Sequence, residues 1–209
     1  MTAMCDVAFL LLSFFILATK FKPPEALSVV TPKSVSTKTV NQKDAVVIIM
    51  DKDAKVYFTV SDGNSEEKGE ILDIINQTRN LGLTDAEKKN FTRGGSFIGV
   101  PFSQLKPFLD IPADQVKNFK SPGIPVTDTL NNELFLWMRA AATAFQGKKM
   151  NLLLKGDNAA LYPSFKGVID AFKKNEIFKF SMITDPVAVP AGTELYQKKQ
   201  KEGAKATDE

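Results

Sequence analysis

The chain has no histidine and a single cysteine, Cys5, in 209 residues. A zinc site needs clustered Cys, His or carboxylate ligands, and Ser/His/Asp or Cys/His catalysis needs an imidazole as base. Neither can be built here, and no Gly-rich phosphate loop stands in for them. We therefore expect no catalytic, cofactor-binding or metal-binding residues and no enzyme. One cysteine cannot form an internal disulfide, so cysteine usage leaves the redox compartment open. An excess of one charge is missing too: 27 Lys plus Arg face 24 Asp plus Glu, for a net charge of +3. The basic residues are mostly lysines spread along the chain instead of clustered, so no nucleic-acid partner is expected.

What the sequence does have is one long apolar run at its start, MTAMCDVAFLLLSFFILAT. Asp6 is its only ionisable carboxylate, and Ser13 is the only polar residue between Val7 and Ala18. A helix over residues 1–19 would be about 28 Å long, close to the roughly 30 Å hydrocarbon core of a bilayer. Nine Val, Phe, Leu and Ile residues between Val7 and Leu17 favour insertion by about 3 to 5 kcal/mol, against a cost of about 3 kcal/mol for a central Asp. The balance predicts a transmembrane helix over residues 1–20.

Other readings of the segment fit less well. A secretory signal peptide wants a basic start and a small-residue cleavage site, whereas no Lys or Arg precedes Lys20 and the run ends in ILATKF. A lipoprotein signal would end its apolar run in cysteine, but Cys5 precedes it. A buried core helix is the remaining alternative, and apolarity on every side argues against it. Asp6 could merely cap a helix in the headgroup region. That would leave about 13 apolar residues, roughly 20 Å, which is too short to cross. A carboxylate inside the span is by default a functional hypothesis, commonly a proton relay. Ser13 lies seven residues on, within about 20° of Asp6 around the helix, so both face one side.

The segment resembles the membrane helix of the ExbD/TolR biopolymer transport family, whose motif reads M-T-P, two hydrophobic residues, D-V, then an apolar run ending near A-T. By that resemblance Asp6 is the proton-relay residue; Ser13, placed on the same side by its spacing, is expected to be a channel-facing helper. Ala3 stands where the family usually has Pro, which alters the start of the helix and keeps the carboxylate. Family members carry a short basic segment before the motif. Lys20 and Lys22 follow the helix, so the positive-inside rule leads us to expect the reading frame to continue upstream with basic residues.

Residues 21–44 are rich in Pro, Ser, Thr and Lys and read as an extended linker. Beyond it, AVVIIM (45–50) and KVYFTV (55–60), separated by DKDA, predict a hairpin. Helices are expected over residues 66–79, 85–91, 103–109, 131–145 and 162–174, with strands at SFIGVP (96–101), 150–157 and 178–184. Trp137, the only tryptophan, sits on the helix at 131–145 and reads as core. From residue 185 the sequence loses apolar periodicity, and 185–209 is expected to be a disordered tail.

The stretch LLLKGDNAALYPSFKGVIDAFKKNEIFKFSMIT resembles the end of the ExbD periplasmic domain, with Asp157, Tyr162 and Thr184 at matching places. VVIIMDKDAKVYF resembles its opening hairpin. Residues 61–127 look like an insertion into a periplasmic domain at 45–184. The resemblance implies an α+β fold, with one N-terminal transmembrane helix followed by a two-layer periplasmic domain holding a mixed sheet and helices on one face. It implies a single-pass protein of the bacterial inner membrane, acting in an ExbB-ExbD-TonB type motor driven by proton-motive force. Protons are the coupling ion, and no other cofactor is expected. Its partners would be an ExbB-like multi-span ring, a TonB-like protein and a second copy in a dimer. A TolR-like role in outer-membrane integrity and an anchored periplasmic binding domain without motor role remain the alternatives.

Overall fold

A computed structural model describes residues 2–18, 29–34, 42–112, 115–116, 119–128, 131–187 and 193. The first element is helix α1 (Thr2–Ala18), 17 residues long. At 1.5 Å per residue it measures about 25 Å; residues 1, 19 and 20 of the helix expected over 1–20 lie outside the described residues. No helix among the described residues is long and apolar enough to cross a membrane.

The sheet's hairpin forms where β-branched and aromatic residues are concentrated, and its third strand where three leucines run together. Strands β2 (Ala45–Met50) and β3 (Val56–Val60) make the expected antiparallel hairpin, with Ile48 opposite Phe58. Its turn is held by Asp51, whose Oδ1 accepts the N–H groups of Asp53 and Lys55, both at 2.9 Å. Strands β4 (Asn151–Gly156) and β5 (Ser181–Ile183) add in parallel, giving the order β3-β2-β4-β5. The fold is thus α+β with a four-stranded mixed sheet.

The helices follow amphipathic stretches: α2 (Ser65–Arg79), α3 (Asp85–Thr92), α4 (Phe102–Leu109), α5 (Leu134–Ala144) and α6 (Tyr162–Lys174). Helix α3 opens on a capping box between Thr84 and Glu87, which satisfies two otherwise unpaired N–H groups. Val46, Ile48, Phe58, Val60, Leu152 and Leu154 form a common core with Ile71 and Leu72 of α2, Trp137 of α5 and Val168 of α6. A fully buried side chain of this size contributes about 1.5–3 kcal/mol, so this face supplies much of the stability. Helix α6 joins β4 to its parallel neighbour β5, because a parallel pair needs a crossover connection.

Expectations are corrected at the edges of the domain. The linker expected over 21–44 holds a short strand, β1 (Lys33–Ser34). The tail expected to be disordered from 185 begins with β6 (Asp185–Pro186), and the two pair in parallel. Apolar periodicity could not reveal this pair, because its ladder is made by main-chain hydrogen bonds, which every residue can form. The strand expected at 96–101 reduces to one bridge between Ile98 and Phe58. Residues 21–28, 35–41 and most of the tail lie outside the described residues.

Candidate functional site

Asp6 and Ser13 both lie on α1, with Asp6 exposed and Ser13 half-buried. They share one side of the helix, about 10 Å apart along its axis. Around them the apolar side chains point outward on every side: Phe9 is 66% exposed, Leu10 61% and Phe14 64%. A helix that presents this much apolar surface needs an apolar surrounding. Asp6 is the single carboxylate in it.

A second group of residues, those singled out in the sequence, lies at the carboxyl ends of the parallel strands. Asp157 follows β4, and its Oδ1 accepts the N–H of Ala159 at 2.9 Å while its Oδ2 accepts the N–H of Val30 at 3.0 Å. These two main-chain donors hold its carboxyl below the usual range, since hydrogen bonds to the charged form favour that form. Tyr162 begins α6 and is 73% exposed. Thr184 lies between β5 and β6. Asp157 and Tyr162 line one pocket of about 200 Å³ together with Pro32, Met50, Leu154 and Met182. The structure therefore brings Asp157 and Tyr162 together, while Asp6 and Ser13 sit on the separate helix.

Sequence reasoning missed the part played by residues 29–34. The N–H of Asn158 donates to Val30 O at 3.0 Å, that of Asp185 to Pro32 O at 3.0 Å, and that of Val187 to Ser34 O at 2.9 Å. The only available signal was the pair of valines in SVVTPKS, too short to predict a strand.

The sheet has two edges of different character. At β3, Phe58 exchanges both main-chain hydrogen bonds with Ile98 at 2.8 Å, and the N–H of Ile124 donates to Val56 O at 2.8 Å. Gly99 is required beside it, because a Cβ there would run into the ring of Tyr57. Residues from the stretch read as an insertion thus cover this edge. The opposite edge is β5, whose Ser181 and Met182 are exposed.

Residues 1–94 match the family described as biopolymer transport protein ExbD/TolR. The match takes in α1 with Asp6, the β2-β3 hairpin, α2 and α3. It runs on into the segment expected to be an insertion and ends before Asp157, Tyr162 and Thr184. No curated protein and no solved structure matches the chain.

Proposed function

We propose, from the match of residues 1–94 to the ExbD/TolR family, that the chain is an energy-transduction subunit of an ExbB-ExbD-TonB type motor in the bacterial inner membrane. The observation that carries this reading is α1, apolar and exposed on every side, with Asp6 as its one carboxylate. Its 17 residues fall at the short end of the roughly 17–25 used by membrane spans, and local thinning of the bilayer meets a mismatch of about 5 Å. Helix α1 is then the single-pass anchor, and the domain from β2 onward lies in the periplasm.

In this reading Asp6 carries the proton. An ionised carboxylate against an apolar wall is strongly disfavoured, whereas its neutral form passes. Loading from one side and release to the other therefore gate the movement of α1 within an ExbB-like ring. Each proton supplies about 2.3 kcal/mol per 100 mV of membrane potential. Ser13 lies on the same side and offers a hydroxyl along the path. Two copies of the chain in the ring and a TonB-like protein outside it complete the assembly.

The test is Asp6→Asn, which keeps the size of the side chain and removes the titratable proton. Expression and co-purification with the ring protein should stay at wild-type level while energy-dependent transport falls to background. Wild-type transport in the Asp6→Asn strain would remove the relay role.

A further inference from the structure

We propose that residues 29–34 act as a detachable strap, hooked to the domain by Asp157, which walls one side of the pocket at the carboxyl ends of β2 and β4 when docked and widens it when released. Release is the step at which movement of α1 reaches the sheet; that clause rests on the motor reading, whereas detachment itself does not.

The strap is held by main-chain hydrogen bonds at its two ends, to Asp157 and Asn158 on one side and to Asp185 and Val187 on the other. Its one buried side chain is the short, polar Thr31; of its two valines, Val29 is only half-buried and Val30 is 68% exposed. Segments that bury little apolar surface and rely on exposed hydrogen bonds open locally at much lower cost than core strands. The space beside Pro32 is left as the roughly 200 Å³ pocket instead of being filled, so the strap is not keyed into the core as Ile48 or Leu154 are. Interdigitated core side chains would resist such release.

Position gives detachment a consequence. Ten residues, 19–28, separate the end of α1 from Val29. Among the described residues, the first hydrogen bonds to the domain that follow α1 along the chain are those of Val30 with Asp157 and Asn158, ahead of any strand of the main sheet. The strap forms a two-residue ladder, Lys33 with Asp185 and Ser34 with Pro186, whereas β2 pairs with β4 over six residues. The short ladder gives way first. Its release uncovers the buried pocket walls formed by Met50 and Leu154 beside the exposed Met182, and frees the main-chain groups of β6.

Amide hydrogen exchange on the full chain in lipid nanodiscs tests detachment directly. The amides of Val30, Asn158, Asp185 and Val187 should exchange at least about a hundredfold faster than those of Ile48 and Leu154. Asp157→Ala should speed the strap amides by a further factor of about ten and leave the core amides unchanged. Strap amides as slow as that of Leu154, or core amides that move together with them in Asp157→Ala, would overturn the proposal. The coupling role is tested by Lys33→Cys with Asp185→Cys in a Cys5→Ser background, since strand neighbours lie within disulfide reach. The oxidised, strapped chain should lose transport and regain it on reduction. Full transport with the disulfide formed would overturn the coupling role. Loss of the motor reading itself would show instead in Asp6→Asn, with the exchange pattern intact.

Discussion

The indole of Trp137 on α5 lies over the ring of Phe58 on β3, with centroids 5.2 Å apart. Phe102 of α4 stacks on the same indole at 5.6 Å, and Phe91 of α3 approaches at 6.4 Å. One side chain thus ties the sheet to helices that the sequence suggested were an insertion. Residues 61–127 share the core of the domain, so their removal should unfold it and not merely trim it.

Trp137→Ala should destabilise the domain by about 3–5 kcal/mol, because it opens a large cavity at a fully buried position. The indole Nε1 finds no hydrogen-bond partner among the described residues, so Trp137→Phe loses volume without losing a bond and should cost clearly less. Urea unfolding followed by circular dichroism checks both. Equal losses would mean that the indole nitrogen, and not the ring volume, matters.

Much of this arrangement was legible in the sequence because burial leaves a periodic trace. The runs AVVIIM and VYFTV became β2 and β3, and the Tyr-Pro start with its spaced apolar residues became α6 over Tyr162–Lys174. Asp6 stood out because a lone carboxylate in an apolar run has few structural explanations. The strand order was not legible, since pairing partners for Ile48 and Leu154 are set by packing across long separations. Neither was the strap, because Val30, Pro32 and Ser34 bind through main-chain groups that every residue carries.

Gly167→Ala should be poorly tolerated even though it lies in a helix, where alanine is normally the better residue. A Cβ at this position would run into the main-chain carbonyl of Val126, and the Gly167 carbonyl accepts a hydrogen bond from Asn132 Nδ2 at 2.8 Å. Backbone cannot rotate aside as a side chain can, so a loss of about 1–3 kcal/mol is expected. A melting temperature equal to or above wild type would show that α6 shifts freely against residues 124–126.

The buried Glu67 accepts a hydrogen bond from Lys148 Nζ at 2.6 Å. That bond holds the Glu67 carboxyl below its ordinary 4.5 and lifts the Lys148 ammonium above its ordinary 10.5. The acid's contribution to stability is therefore complete above about pH 4.5 and is lost as pH falls through its folded value. The base's contribution is complete below about pH 10.5 and is lost as pH rises through its folded value. Stability measured by urea unfolding from about pH 3 to about pH 11 should fall at both ends. Lys148→Met should flatten the alkaline limb and weaken the acid one. An unchanged profile in Lys148→Met would remove the pair from the account.

A TonB-like partner, if it docks by adding a strand to the four-stranded sheet, has one suitable edge among the described residues. The β3 edge is occupied by Ile98 and Ile124, which already take the main-chain groups of Phe58 and Val56. Strand β5 ends the sheet on the other side, and a strand edge that offers unpaired N–H and C=O groups is a template for a further strand. It is only three residues long, so binding through it alone should be weak, with the apolar Met182 and the nearby pocket adding contact. Main-chain pairing tolerates side-chain change, so Ser181→Ala should bind a cognate peptide much as wild type does. Amide exchange of the full chain in nanodiscs with and without that peptide is the measurement. Protection should appear at Ser181–Ile183 and leave Val56 and Phe58 unchanged. Protection confined to α5, or none at millimolar peptide, would rule out strand addition at β5 and leave the role of Asp6 to be judged by its own test.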